Sequence, residues 1–138
     1  MGTWGFESFQ DDIAVDWLED LFDSDPIAFF RQCLDLTGHD YLGHIACIGV
    51  ICTAEMIHGV LSEPRAGLPE AALQWLKMNQ DLHVKPFVCE AIIGLGRVIG
   101  PESEMFEMWQ DSENQLDAWQ SHLRELVKRL AVVSAETS

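Results

Sequence analysis

The stretch YLGHIACIGVICTAEMIHGVL, residues 41–61, is apolar on nearly every side when it is placed on a helix. In a soluble protein such a segment is a central helix surrounded by others. A membrane span is the alternative, but the longest mostly apolar run without a charge, residues 45–54, has ten residues, against the roughly twenty that a bilayer requires. Glu55 and His58 follow that run directly. The sequence therefore predicts a core helix and no membrane contact.

Outside this stretch the hydrophobic residues also recur with helical spacing, and no segment shows the sustained alternation that is typical of strands. The segment PFVCEAIIGLGRVIG, residues 86–100, is the second stretch that is apolar on most sides. A chain of 138 residues is long enough to bury a core of its own. We therefore predict an all-α fold, a single compact domain over residues 1–138 with about six helices, two of them apolar and central, and frayed residues 134–138.

Local signals predict where some of these helices begin, end and pack. Asp25 before Pro26 is typical of a cap and first helical turn, so a second helix is expected to start there and to end near Gly38. Gly94 and Gly96 lower the helix propensity of the second central helix but leave room for a neighbouring helix to approach closely.

The charge of the chain is strongly acidic, with 8 Lys and Arg against 23 Asp and Glu and a net charge of -15. Binding to nucleic acid or anionic lipid is not expected, because phosphate recognition depends on Lys and Arg. Residues 1–30 and 98–123 contain no Lys or Arg. One interpretation is a solvated surface without a partner. The other is a surface that binds a basic protein, with these candidate residues: Asp12, Asp16, Glu19, Asp20, Glu104, Glu107, Trp109 and Asp111.

Trp109 decides how the second acidic stretch is interpreted. An exposed Trp among carboxylates would suit a cation or an Arg-rich protein surface. Packing in the core is the alternative, and it is the commoner fate of a Trp in a chain that has five of them.

The four cysteines lie in apolar stretches and form no C-x-x-C pair. This pattern is typical of buried thiols in a reduced compartment rather than of a disulfide framework or a zinc site. The first residues lack the basic and apolar regions of a signal peptide. We therefore expect a cytoplasmic protein.

Charged and polar residues within the two central helices are the candidates for a pocket: Glu55, His58, Glu90 and Arg97. A buried charge is costly unless it is paired, so we expect Arg97 to pair with Glu55 or Glu90 across these helices. Glu55 and His58, three residues apart, match one half of a di-iron helix motif, but no second Glu-x-x-His occurs. No metal or other cofactor is expected.

Sequence motifs of catalysis are missing from this chain. There is no G-x-S-x-G elbow, no P-loop and no dinucleotide-binding glycine pattern, and GLGRVIG lies in a predicted helix rather than after a strand. We assign no catalytic residue, and the sequence favours a protein that is not an enzyme.

The N-terminal MGTWG places a large aromatic residue where a chain usually frays. We expect residues 1–10 to form a structural plug, in which Gly5 permits a tight turn that brings Trp4 back onto the core. Phe9 is expected to be a further structural residue of this segment, Trp17 to anchor the first helix in the core, and Asp11 or Asp12 to cap that helix.

These N-terminal residues, with TAEMIHG, LPEAALQWL and SEMFEMW further on, resemble the bacterial family known as domain of unknown function 4259. The resemblance extends from residue 1 to about residue 130, and Asp11 stands where the family usually has Asn. It implies a bacterial origin and a helical fold but no reaction. The family's N-terminal box falls on Gly2, Trp4, Gly5, Phe9, Asp11, Asp12, Ala14, Asp16 and Trp17.

Two functions follow from these patterns. The first is a non-enzymatic module that uses its acidic surface on a basic protein, in the manner of immunity proteins that neutralise a toxin. The second is an enzyme, or a protein that binds a small ligand or metal, with a pocket between the central helices. Neither pattern predicts an oligomeric state.

Overall fold

In the computed structural model, residues 12–65, 67–111 and 115–136 are described. Within these ranges the chain folds into seven α-helices and no strand, which confirms the all-α prediction with one helix more than expected. A single turn of 3₁₀ helix, Lys85–Phe87, precedes the fifth α-helix. The α-helices are α1 (Asp12–Phe22), α2 (Pro26–Leu34), α3 (His44–Leu61), α4 (Glu70–Met78), α5 (Val88–Ile99), α6 (Glu104–Gln110) and α7 (Leu116–Glu136).

The start of α2 follows the local prediction, and its end does not. The carboxylate of Asp25 accepts a hydrogen bond of 3.0 Å from the backbone N–H of Ala28, with Pro26 in the first turn. The helix ends at Leu34 rather than near Gly38, because Asp35 adopts an extended conformation and its carboxylate accepts a hydrogen bond from the N–H of Thr37. Such local side-chain bonds compete with continued helix formation.

Helix α3 lies at the centre, where α1, α2, α4, α5, α6 and α7 all contact it. By length and composition it could cross a membrane, yet 78% of its residues are buried inside the protein, as in the core helix of a folded domain. Every residue from 47 to 60 is buried. The predicted core helix is confirmed, and the remaining helices are arranged by their need to cover it.

Helix α5 is the second central helix, packed against α3 and α7. Its outer side stays exposed, and Cys89 lies there as a free thiol. The expectation that all four cysteines are buried is therefore wrong for Cys89, because α5 is covered on fewer sides than α3. Cys47 and Cys52 are buried, and Cys33 is partly buried.

The two glycines of α5 have different environments. A Cβ atom on Gly94 would lie 3.0 Å from Cγ1 of Val50 on α3, so the expected close approach of helices occurs there. A Cβ atom on Gly96 would meet nothing within 4 Å, and the prediction is wrong for that residue.

Replacing each glycine by Ala should therefore have opposite effects on the free energy of unfolding. Gly96→Ala is expected to stabilise by up to about 1 kcal/mol, since Ala is the better helix former. Gly94→Ala is expected to destabilise by about 1 kcal/mol, because overpacking against Val50 outweighs the same gain in propensity. Urea denaturation of both variants measures the difference, and equal shifts would contradict the assigned packing.

Candidate functional site

The four residues of the predicted pocket do not line a common cavity. Glu55 is buried within α3, and His58 lines a surface hollow between α3 and α7. Glu90 is exposed beside the 3₁₀ turn, and Arg97 borders a separate hollow near the start of α6. Helices α3 and α5 pack closely where Gly94 meets Val50, and the hollows at His58, Arg97 and Glu90 are three separate ones.

Arg97 does not form the predicted ion pair. Its Nη1 donates a hydrogen bond of 3.5 Å to the carbonyl of Leu36, and its Nη2 donates to the carbonyl of His39. The prediction that Arg97 pairs with Glu55 or Glu90 is wrong, because the guanidinium is used to hold the connection between α2 and α3. Arg97 is thus a structural residue that fixes residues 36–39 against α5.

The partner of Glu55 is Arg65, which lies in the connection between α3 and α4. Nη2 of Arg65 donates to Oε2 of Glu55 at 2.7 Å, and Nε donates to Oε1 at 3.1 Å, so the contact is bidentate. Only 8% of the Arg65 side chain and 2% of the Glu55 side chain are exposed. Planar two-point pairing of this kind is the geometry that an Arg–carboxylate pair favours.

His122 of α7 completes this buried cluster. Nη1 of Arg65 donates to the carbonyl of His122 at 2.9 Å, and Nη2 lies 2.8 Å from Nε2 of its ring. A guanidinium has only donors, so Nε2 must act as the acceptor, and the imidazole is neutral with its proton on Nδ1. Because the imidazole of His122 is neutral, it forms no ion pair with Glu55, although its Nε2 lies 3.9 Å from Oε2 of that carboxylate. Burial, and then the charge of Arg65, lower the pKa of His122 to about 4.

We call Glu55, Arg65 and His122 the buried cluster. In this cluster the guanidinium of Arg65 links α3, the connection that follows α3, and α7. Both oxygens of Glu55 are engaged with Arg65, so Glu55 is not free to hold a metal with His58. Within the described residues, no group of three or more His, Cys, Asp and Glu side chains is placed to hold a metal ion.

Sequence reasoning chose Glu55 correctly as a buried charge but missed Arg65 and His122. Arg65 lies in the stretch SEPRAG, which shows only a loop, and His122 lies in the polar part of α7. The signal present in the sequence is Glu55 itself, because a buried carboxylate requires a cation nearby. Arg65 is the first Arg or Lys that follows Glu55 in the chain.

His58 is buried next to this cluster and does not belong to it. It is 2% exposed, and its Nδ1 has no hydrogen-bond partner among the described residues. Burial lowers the pKa of His58 below its ordinary value, with a smaller opposing contribution from the Glu55 charge. A neutral buried imidazole with an unpaired nitrogen is an unusual feature in a folded core.

The acidic residues of α6 are largely engaged within the chain. Oε1 of Glu104 accepts a hydrogen bond of 2.9 Å from the N–H of His44 and so caps α3. The pKa of Tyr41 is raised by desolvation first and then by its interaction with the carboxylate of Glu107. Asp111 is exposed at the end of the helix.

Trp109 is not part of an exposed acidic surface. It is buried, and its ring stacks on that of Trp119 with centroids 6.5 Å apart and an interplanar angle of 20°. Of the two alternatives, core packing is correct, because α6 turns this face towards α7.

The acidic residues of α1 have a different environment. Asp12, Asp16, Glu19 and Asp20 are all exposed, and no ion pair to them occurs within the described part of the chain. They occupy the side of α1 opposite to its buried residues, which are Ala14, Trp17, Leu18 and Leu21.

Comparison with known families identifies the chain. The family model named DUF4259, described as a domain of unknown function, matches residues 2–122. This protein belongs to the DUF4259 family. Comparison with curated proteins and with solved structures gives no match. All three residues of the buried cluster lie within the matched range of this DUF4259 chain.

The N-terminal box of this DUF4259 protein is described only in part. Trp4, Gly5 and Phe9 lie outside the described residues, so the predicted plug stays a prediction. Trp17 is buried as expected, packed 5.3 Å from Phe29 between ring centroids. Its Nε1 also donates to Sγ of Cys33 at 3.3 Å, which fixes α1 against α2.

Proposed function

We propose that this DUF4259 protein is a protein-binding module, and that the exposed side of α1 binds a basic surface of another protein. The observation that carries the proposal is a row of exposed carboxylates on α1 beside an exposed apolar hollow. We call this combined area the α1 surface. Its members are Asp12, Val15, Asp16, Glu19, Asp20 and Phe22 of α1, Asp23 directly after that helix, and Ala71, Gln74, Trp75 and Met78 of α4.

The carboxylates of α1 extend over a distance that suits a helix or strand of a partner. From Asp12 to Asp20 the axial separation is roughly 12 Å, from the rise of an α-helix. No Lys or Arg occurs between residues 12 and 30. A surface whose charges are all negative attracts positively charged partners and repels negatively charged ones.

The same carboxylates repel each other in the free protein. Asp12 and Asp16, and Asp16 and Asp20, are like-charged pairs four residues apart on α1. Each pair destabilises a helix by about 0.2–0.5 kcal/mol. A basic partner would relieve this repulsion, so partner binding and the stability of α1 are expected to increase together.

An apolar hollow borders the carboxylates. Phe22 lines a space of about 240 Å³ together with Trp75 and Met78 of α4. Val15 is 46% exposed and Phe22 is 43% exposed, seven residues apart and therefore on one side of α1. Protein interfaces typically combine an apolar anchor site with a charged rim. We infer a partner segment that carries Lys or Arg together with one large apolar side chain.

The acidic residues of α6 do not support a second binding surface equally well. Glu104 and Glu107 already bind groups of the chain itself, and Trp109 is buried. The alternative of a ligand pocket between the central helices loses its basis, since its four residues lie apart.

Binding of a designed peptide tests the proposal. The probe is an amphipathic helical peptide with Lys and Arg on one side and Leu and Trp on the other, and its scrambled sequence is the reference. Reversing Asp16, Glu19 and Asp20 to Lys is expected to weaken binding about tenfold, the effect of three rim pairs of about 0.5 kcal/mol each. Isothermal titration calorimetry measures the affinity, and amide shifts in NMR locate the site.

The matched control reverses three other exposed carboxylates, Glu63, Asp81 and Asp111, to Lys. It changes the net charge equally and is expected to leave the affinity within about twofold at physiological salt, because distant charges are screened. The scrambled peptide should bind more weakly because it cannot fill the hollow at Phe22. Equal losses in both variants, or amide shifts centred on α6, would refute the proposed surface.

A further inference from the structure

We propose that the hollow between α3 and α7 binds a small oxyanion, a carboxylate or phosphate group, through His58, Ser62 and Lys128. This site is separate from the α1 surface and does not depend on it. The hollow has a volume of about 230 Å³, and residues of both helices line it.

The first observation is the buried imidazole of His58. It lines the hollow, is 2% exposed and leaves Nδ1 without a hydrogen-bond partner among the described residues. An unmet hydrogen bond of a buried polar atom is costly, so native proteins rarely retain one without a reason. A ligand oxygen that reached Nδ1 from the hollow and accepted a hydrogen bond from it would remove this cost.

The second observation is the local charge. Lys128 and Arg129 line the hollow, and they are two of only eight Lys and Arg residues in a chain of net charge -15. Among the described residues, Glu125 is the one carboxylate of the lining, and its Oε2 accepts a hydrogen bond from Nε of Arg129 at 3.2 Å. No ion pair to Lys128 occurs in the described part of the chain. The lining therefore keeps one net positive charge.

The third observation is the mixture of donors and apolar surface. Ser62 adds a hydroxyl at the end of α3, while Val132 and Val133 form an apolar wall. Pockets that orient small organic ligands combine a few polar groups with such walls. Because the C-terminal end of α3 carries partial negative charge, a neutral hollow there would repel an anion. The positive charge of Lys128 outweighs this repulsion. A charge-assisted hydrogen bond from Lys128 to the anion is stronger than the repulsion by the partial negative charge at the end of α3.

The test is a titration of the full chain with inorganic phosphate and, separately, with isobutyrate, at constant ionic strength. Long-range 1H–15N spectra follow the imidazole nitrogens, and His58→Gln assigns the His58 signals among five histidines. We expect a saturable shift of the His58 nitrogens with at least one probe. Saturation by phosphate alone identifies a phosphate group, and saturation by isobutyrate alone identifies a carboxylate that uses the valine wall.

Substitutions of exposed residues test the site without disturbing the core, so these variants should fold. Lys128→Gln is expected to weaken binding at least about fivefold, while Lys77→Gln, which removes an exposed charge of α4, leaves it unchanged. Glu125→Gln should strengthen binding, because it removes a negative charge from the lining. Shifts that never saturate, or equal affinities of Lys128→Gln and Lys77→Gln, would overturn the proposal.

The variant with Asp16, Glu19 and Asp20 reversed to Lys separates this inference from the proposed function. It should lose peptide binding and still bind the oxyanion with an affinity within about twofold, because charges beyond a Debye length are screened. If this variant loses the oxyanion as well, the site at α3 and α7 is not independent, and the inference is wrong.

Discussion

Replacing Arg65 by Met is expected to lower the free energy of unfolding by about 3–5 kcal/mol, the range for a buried ion pair that loses one member. The substitution would leave the carboxylate of Glu55, 2% exposed, without its bidentate cation. It would also remove the hydrogen bond that Arg65 donates to the carbonyl of His122 on α7. Urea denaturation followed by circular dichroism measures the loss.

The matched control is Arg129→Met, which breaks the pair with Glu125 on the surface of α7. Both side chains of that pair are about half exposed, so the expected loss is only about 0.5 kcal/mol. The double variant Glu55→Leu with Arg65→Met should be more stable than Arg65→Met alone. In the double variant no uncompensated carboxylate is left in the core. A loss below 1 kcal/mol for Arg65→Met would show that Glu55 does not depend on it.

Acidification is expected to reduce stability between pH 6.5 and pH 4 by roughly 3 kcal/mol through His122 alone. Its pKa is about 4 in the folded protein against an ordinary value of 6.5. In this interval the unfolded chain binds a proton that the folded chain does not, so stability rises with pH and is lost as pH falls. If His122 were protonated, its positive charge would lie against the guanidinium of Arg65, from which the neutral ring now accepts a hydrogen bond.

His122→Gln isolates this contribution. Gln keeps a hydrogen-bond acceptor near Arg65 but does not titrate, so its stability should depend less on pH across the interval. The comparison is needed because His58, whose pKa is also lowered, acts in the same direction. Relief of repulsion among the carboxylates acts in the opposite direction. If wild type and His122→Gln show the same pH dependence of urea midpoints, the assigned environment of His122 is incorrect.

The helices of this protein could be predicted from sequence because their determinants are local. A cap such as Asp25 and the helical spacing of apolar residues involve positions within about four residues of one another. The central place of α3 also follows from composition, because a helix that is apolar on all sides has to be covered. Seven helices instead of about six is a small error of the same local kind.

The candidate site could be predicted only in part. A carboxylate in an apolar helix indicates that a cation lies nearby, and Glu55 shows this in the sequence. The sequence predicts its partner on the other central helix, at Arg97, whereas Arg65 reaches Glu55 from a connection with no regular pattern. The hollow at His58 depends on Lys128, which lies seventy residues further along the chain. No local signal connects such positions.

The sequence by itself determined the all-α class, the central helix α3 and the acidic character of α1, since spacing and composition are properties of neighbouring residues. Only the tertiary structure decided that Arg65 and not Arg97 neutralises Glu55, that Trp109 is buried, and that Glu104 of α6 binds the N–H of His44, whereas the carboxylates of α1 make no ion pair within the described residues. The physical reason is that burial and ion pairing depend on how helices cross and where loops return. Those contacts join residues far apart in the chain.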